Sequence, residues 1–154
     1  MKEIGIGVIG TAFMGKAHSI AYASAGTAFG GQLRPRLEMV CDQDPHIAET
    51  KRAEMGFARC TTDYMDVVND PKVDLISICV PNSVHKEIAI AALAAGKHVW
   101  CEKPMSTNLS DSQAMVDAAA ASDQKTIVGY NYIQNPLVHA ARDMINEGVI
   151  GEVT

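Results

Sequence analysis

Short apolar runs alternate along the chain with longer segments of helical period. The runs cover residues 4–9, 37–41, 58–60, 75–80, 98–101 and 126–129, and they are mainly apolar rather than alternating, as in strands buried on both faces. This alternation predicts β-α-β units and a doubly wound, parallel α/β sheet of about six strands.

The segments between the runs carry helix punctuation. Asp44-Pro45 offers a cap followed by proline at the first helical position, and Gly56 a stop, so a helix is expected over about residues 45–55. Asn82 is expected to cap a segment bearing Val84, Ile88, Ala91, Leu93 and Ala94 that ends at Gly96, and Asn108 an Ala-rich helix running to about Ala121. Asn135-Pro136, the stripe Leu137, Ala141, Met144 and Ile145, and the stop Gly148 predict a final helix. The glycines between positions 26 and 31 predict a surface loop, where the first helix ends before Arg34 to Arg36 lead into the second strand.

At 154 residues the chain is long enough for one domain, able to bury roughly 68–70% of its unfolded surface. Hydrophobic residues at 47% and charged residues at 20% argue against a disordered or disulfide-stapled chain. Thirteen Lys plus Arg against 18 Asp plus Glu, with no basic run, argue against a nucleic-acid partner. The apolar stretches fall short of the roughly 20 residues of a membrane span and the N-terminus has no signal-peptide core, so the expectation is a soluble, cytoplasmic chain with no membrane partner. Cys41, Cys60, Cys79 and Cys101 are spaced 19, 19 and 22 residues apart, without a zinc pattern. They are expected to be free core thiols in a reducing compartment, and no metal is expected.

Directly after the first apolar run stands Gly10-Thr11-Ala12-Phe13-Met14-Gly15. It matches the dinucleotide fingerprint G-x-[G/A]-x-x-G, in which Gly10 permits the turn, Ala12 the approach to a diphosphate and Gly15 the packing of helix on strand. A turn that merely needs glycine is the plainer reading. Asp42, at the end of the second run, favours the dinucleotide, because a carboxylate there accepts both hydroxyls of an adenosine ribose. It would repel a 2′-phosphate, so NAD is favoured over NADP. The interval from Gly15 to Asp42 exceeds the usual roughly 20 residues, and a loop over 26–35 is expected to absorb the excess. Asp42 as a solvated turn residue is the alternative.

Two further segments, Val80-Pro81-Asn82-Ser83-Val84-His85 and Glu102-Lys103-Pro104, together with the glycine loop, resemble the family named for glucose–fructose oxidoreductase, inositol dehydrogenase and a rhizopine-catabolism protein (Gfo/Idh/MocA). Gly129-Tyr130-Asn131-Tyr132 and residues 147–153 are similar to it as well. The resemblance implies a nicotinamide-dependent oxidoreductase of sugars, polyols or related hydroxyl compounds. It implies a Rossmann domain, here residues 1–130, then a linking segment and helix, residues 131–154, leading to a C-terminal α+β domain. That second domain, which in the family brings most of the substrate pocket and a catalytic histidine, is absent from this sequence. The chain alone is therefore expected to hold NAD but to be catalytically incomplete.

By the resemblance Lys103 is the catalytic lysine, and Glu102 lies near the nicotinamide-side ribose, with Pro104 holding the turn. Lys103 is also expected on topological grounds to face the crevice at the carboxyl ends of the strands, where an ammonium stabilises a developing alkoxide. The resemblance puts Pro81, Asn82 and His85 on the cofactor side and Asn131 at the mouth of the site. From the residues alone Asn82 is a helix cap, His85 a solvent-facing first-turn residue and Asn131 a polar turn residue. His18, His98 and His139 are expected to be packed or solvated, and His46 to lie on a helix surface. Two other readings remain at this point: a non-catalytic NAD-sensing or interaction module, and a methyltransferase-like domain using S-adenosylmethionine. The apolar residues of the last helix and of 149–153 also predict self-association.

Overall fold

The computed structural model describes residues 2–152. Six parallel strands, β1 (Lys2–Ile9), β2 (Leu33–Cys41), β3 (Arg59–Thr61), β4 (Leu75–Ile78), β5 (His98–Cys101) and β6 (Thr126–Val128), form one sheet in the order β3-β2-β1-β4-β5-β6. Helices α1 (Phe13–Phe29), α2 (Pro45–Met55), α3 (Tyr64–Asn69), α4 (His85–Ala94), α5 (Leu109–Ala120) and α6 (Pro136–Asn146) connect or follow them. The order reverses between β1 and β4, and a crevice opens outside the carboxyl ends of the strands at such a point.

Successive strand residues point to opposite faces, so a run such as Val8-Ile9 or Met39-Val40 feeds two cores. Ile9, Met39, Ile76, Ile78 and Val99 join one cluster with Val67, Ile88 and Met115 from α3, α4 and α5. Ile6, Val8, Val40 and Cys79 join Phe57 in the other, with Met14 and Tyr22 of α1 packed against it. Each fully buried Val or Ile contributes about 1.5–3 kcal/mol, which explains the continuous rather than alternating apolar pattern. Cys41, Cys79 and Cys101 are buried and Cys60, on the edge strand, is half-buried; all four are free. Burial is the main cause that pushes each of the three core thiols up to about 12.

The punctuation operates at most of the expected places. The Asp44 carboxylate accepts from the amides of His46 and Ile47 at 2.8 and 3.1 Å, and the Asn108 and Asn135 side chains cap α5 and α6. Asn82 is different: it begins a 3-10 turn, Asn82–Val84, and no side chain caps either that turn or α4.

The predicted loop over 26–35 is largely absent. Helix α1 continues through Gly26 and ends at Gly30, whose left-handed φ of 59° lets its amide reach the Gly26 carbonyl at 3.2 Å. Strand β2 begins at Leu33 and includes Pro35, because β3 pairs only with Met39–Cys41 and leaves the first half of β2 as a free edge that tolerates proline. A long helix and a long strand, not a loop, account for the spacing between Gly15 and Asp42. Helix α3 was not foreseen; the Asp63 carboxylate starts it by accepting from the Met65 amide at 2.8 Å.

Beside β3, Glu38 is 2% exposed yet ionically paired. Arg59 lies 2.6 Å from Glu38 and 2.5 Å from Asp70, and Arg36 pairs with the other Glu38 oxygen. Arg59 holds the Asp70 carboxyl below its usual range. Helix α6 packs against the 3-10 turn before it, Asn131–Gln134, and none of its residues is buried. Among the described residues no helix is long and apolar enough to cross a membrane.

Candidate functional site

Gly10 directly follows β1 with φ at 96°, a left-handed value that favours glycine. A Cβ there would come within 2.5 Å of the Cys79 carbonyl, and a Cβ on Gly15 would strike the Gly10 carbonyl. Both glycines are thus required by backbone crossing at the start of α1. No side chain caps α1 and its first turn holds no acid, so the amides at this helix start and their positive dipole end remain available to an anion. Thr11 is buried, Ala12 and Phe13 are exposed, and Met14 turns toward the second core.

Asp42 stands at the end of β2, level with this loop. The Thr11 hydroxyl donates to one Asp42 oxygen, and the Asp44 amide donates to the other at 3.3 Å. A cleft of about 460 Å³ follows, bounded by Gly10, Thr11, Ala12, Asp42, Pro81 and the first turn of α3. Thr62, Asp63 and Tyr64 of its wall escaped the sequence reading together with α3, although Asp63 carried a cap signal. The cleft combines close-approach glycines, helix amides without a side-chain cap, and a carboxylate hydrogen-bonded by Thr11 and Asp44.

The remaining candidates occupy the other side of the crevice. Glu102 and Lys103 follow β5 directly; Glu102 is 5% exposed, whereas Lys103 is exposed and its amide donates to the Glu102 carboxylate at 3.3 Å. A neighbouring strand end makes room for that carboxylate, since a Cβ on Gly129 would collide with it. Asn131, exposed, begins the 3-10 turn after β6. Asn82 is half-buried beside Pro81.

His85 neither faces solvent nor lines the cleft. It is 1% exposed, with Nε2 2.8 Å from the Val80 carbonyl oxygen and Nδ1 3.2 Å from that of Pro104. Its ring ties together the turns that follow β4 and β5, because α4 folds back beneath both. His18 is packed, one of its two expected states, and has charged company: Nε2 is 2.9 Å from Glu102 Oε1. His46 is exposed on α2, and His98 and His139 are half-buried. Among the described residues no cluster of metal-ligating side chains occurs.

A sequence model of the oxidoreductase family with an NAD-binding Rossmann fold, Gfo/Idh/MocA, matches residues 4–130. The chain belongs to this family. Levoglucosan dehydrogenase of Pseudarthrobacter phenanthrenivorans is 38% identical over 154 residues, which cover 99% of this chain and 40% of that protein. Inositol 2-dehydrogenase/D-chiro-inositol 3-dehydrogenase of Lactiplantibacillus plantarum is 30% identical, with coverage of 96% and 41%. The solved structure of levoglucosan dehydrogenase in complex with NADH superposes with a TM-score of 0.92 at 37% identity, covering 98% of this chain and 41% of that one. The chain therefore spans about 40% of the length of the Gfo/Idh/MocA relatives it matches. The match and the superposition account for the Rossmann sheet order.

Proposed function

We propose that this chain is the NAD-holding part of a Gfo/Idh/MocA dehydrogenase that acts on CH–OH groups of a sugar or polyol. The observation that carries this reading is the joint geometry of an uncapped α1 and an Asp42 carboxylate held ready by Thr11. Amides of the 10–15 loop hold the diphosphate, Asp42 accepts the adenosine ribose hydroxyls, and Pro81 and Asn82 bound the path from β4. Asn131 flanks the mouth of the site, and His85 acts from beneath by fixing the two turns.

When bound, the nicotinamide supplies a hydride acceptor. Lys103 presents its ammonium at the end of β5, where it can hydrogen-bond a substrate hydroxyl and stabilise the alkoxide that develops on oxidation. Residues 1–130 are read as the cofactor domain and 131–154 as a linking segment and helix. A reducing compartment such as the cytoplasm suits four free thiols.

The test is a titration with NADH and NADPH followed through Trp100, the only tryptophan, beside an Asp42→Ala variant. NADH is expected to bind more tightly than NADPH, and Asp42→Ala to narrow the gap. A folded chain that binds neither nucleotide at millimolar concentration overturns the reading.

A further inference from the structure

A carboxylate as buried as Glu102 is costly unless its oxygens find donors. One is the Lys103 amide on Oε2; the other is His18, whose Nε2 faces Oε1 at 2.9 Å. Behind the ring, Nδ1 lies 3.1 Å from Ser77 Oγ, and that oxygen lies 2.7 Å from the Tyr22 hydroxyl. Burial pushes the Tyr22 phenol up to about 12, so it remains a donor at neutral pH. A neutral ring satisfies every member: Tyr22 donates to Ser77, Ser77 to Nδ1, and Nε2–H to Glu102. Trp100 packs edge-on against His18 with ring centroids 4.9 Å apart, which fixes the imidazole from the side.

Asp42 directly follows β2 and Glu102 directly follows β5, on opposite sides of the β1–β4 crevice. A dinucleotide whose diphosphate lies at the 10–15 loop and whose adenosine reaches Asp42 directs its other half toward β4 and β5. Helix α1 carries both the diphosphate amides at its start and, on its second turn, His18.

We propose that His18 is a positioning residue for the nicotinamide half: by holding Glu102 from below, it fixes the Glu102-Lys103-Pro104 turn in register with the diphosphate loop. This rests on the NAD-binding reading above. The Ser77–Tyr22 relay sets the ring, and Gly129 leaves space for the carboxylate it holds.

The test compares NADH with ADP-ribose, which lacks the nicotinamide, by calorimetry on the wild-type chain, His18→Leu and His18→Gln. Glutamine keeps an N–H donor at about the reach of Nε2. The expected result is that NADH binds wild type more tightly than ADP-ribose does. His18→Leu weakens NADH about tenfold, equivalent to about 1.4 kcal/mol, with ADP-ribose changed less than about twofold, and His18→Gln restores most of the loss. Equal wild-type affinities for the two ligands, or equal losses of both in His18→Leu, overturn the proposal. If the wild-type chain binds neither ligand, the NAD reading itself fails and this proposal with it. Should His18→Leu fail to fold, nitrogen NMR of the wild-type imidazole decides: the Nε2–H signal moves with NADH and not with ADP-ribose, and a signal unmoved by NADH overturns the role.

Discussion

The Thr11 hydroxyl donates to the Asp42 carboxylate, joining the residue after Gly10 to the end of the neighbouring strand. The bond orients the carboxylate, so under the NAD-binding reading proposed above little ordering is left for a ribose to supply. Thr11→Val keeps the shape and removes the donor. A hydrogen bond to a charged group contributes about 1.5–3 kcal/mol, much of it here as orientation of Asp42. Calorimetric titration is expected to show NADH affinity lowered about tenfold and its margin over NADPH reduced. An unchanged ratio of the two affinities would count against the role.

Gly129 faces the Glu102 carboxyl group with no room for a methyl. Gly129→Ala is expected to destabilise the fold by about 1–3 kcal/mol, the usual cost of overpacking. Urea denaturation checks it; an unshifted midpoint would show that the β6 end can retreat from Glu102.

Thiol reactivity divides the four cysteines. Burial raises Cys41, Cys79 and Cys101 to about 12 and shields them, while Cys60 is half-buried at the sheet edge, its sulfur 3.3 Å from Glu49. At pH 8 a disulfide reagent is expected to modify Cys60 slowly and the other three only after denaturation. Rapid labelling of more than one thiol in the native chain contradicts the packing.

Asp70 carries a pH dependence of known sign. Its hydrogen bond from Arg59, backed by the Lys72 amide at 2.7 Å, holds the folded carboxyl below its unfolded value of about 3.9. The stabilisation is therefore present above about pH 4 and lost as the pH falls through the folded value. Asp70→Asn is expected to lower stability at pH 7 and flatten the fall below about pH 4, measured by urea midpoints from neutral to acid pH. An acid limb as steep as that of wild type would locate the dependence elsewhere.

Leu137, Met144, Ile145, Val149 and Ile150 are exposed along and just after α6. Exposed apolar stripes of this kind associate, and a second copy of the chain is the expected partner. Sedimentation is expected to show concentration-dependent dimers that Leu137→Glu with Met144→Glu abolishes. Monomers alone at high concentration would dismiss it.

Much of the architecture was legible because its causes are local. The apolar runs mark strands buried on both faces, Asp44, Asn108 and Asn135 mark helix starts through bonds to amides two or three residues on, and Gly10 and Gly15 mark a turn that excludes Cβ atoms. The place of Asp42 just past β2 was legible because the apolar run before it ends there.

What the sequence by itself determined is therefore the six strands, the helix starts at Asp44, Asn108 and Asn135, and the glycine turn after β1. Tertiary structure alone decided that Pro35 lies in a strand, since only the shortness of β3 frees that edge. It likewise placed His85 beneath two turns and paired His18 with Glu102 across 84 residues of chain. Periodicity and capping act within a few residues, whereas these contacts exist only once the sheet order has brought α1, β4, β5 and β6 together.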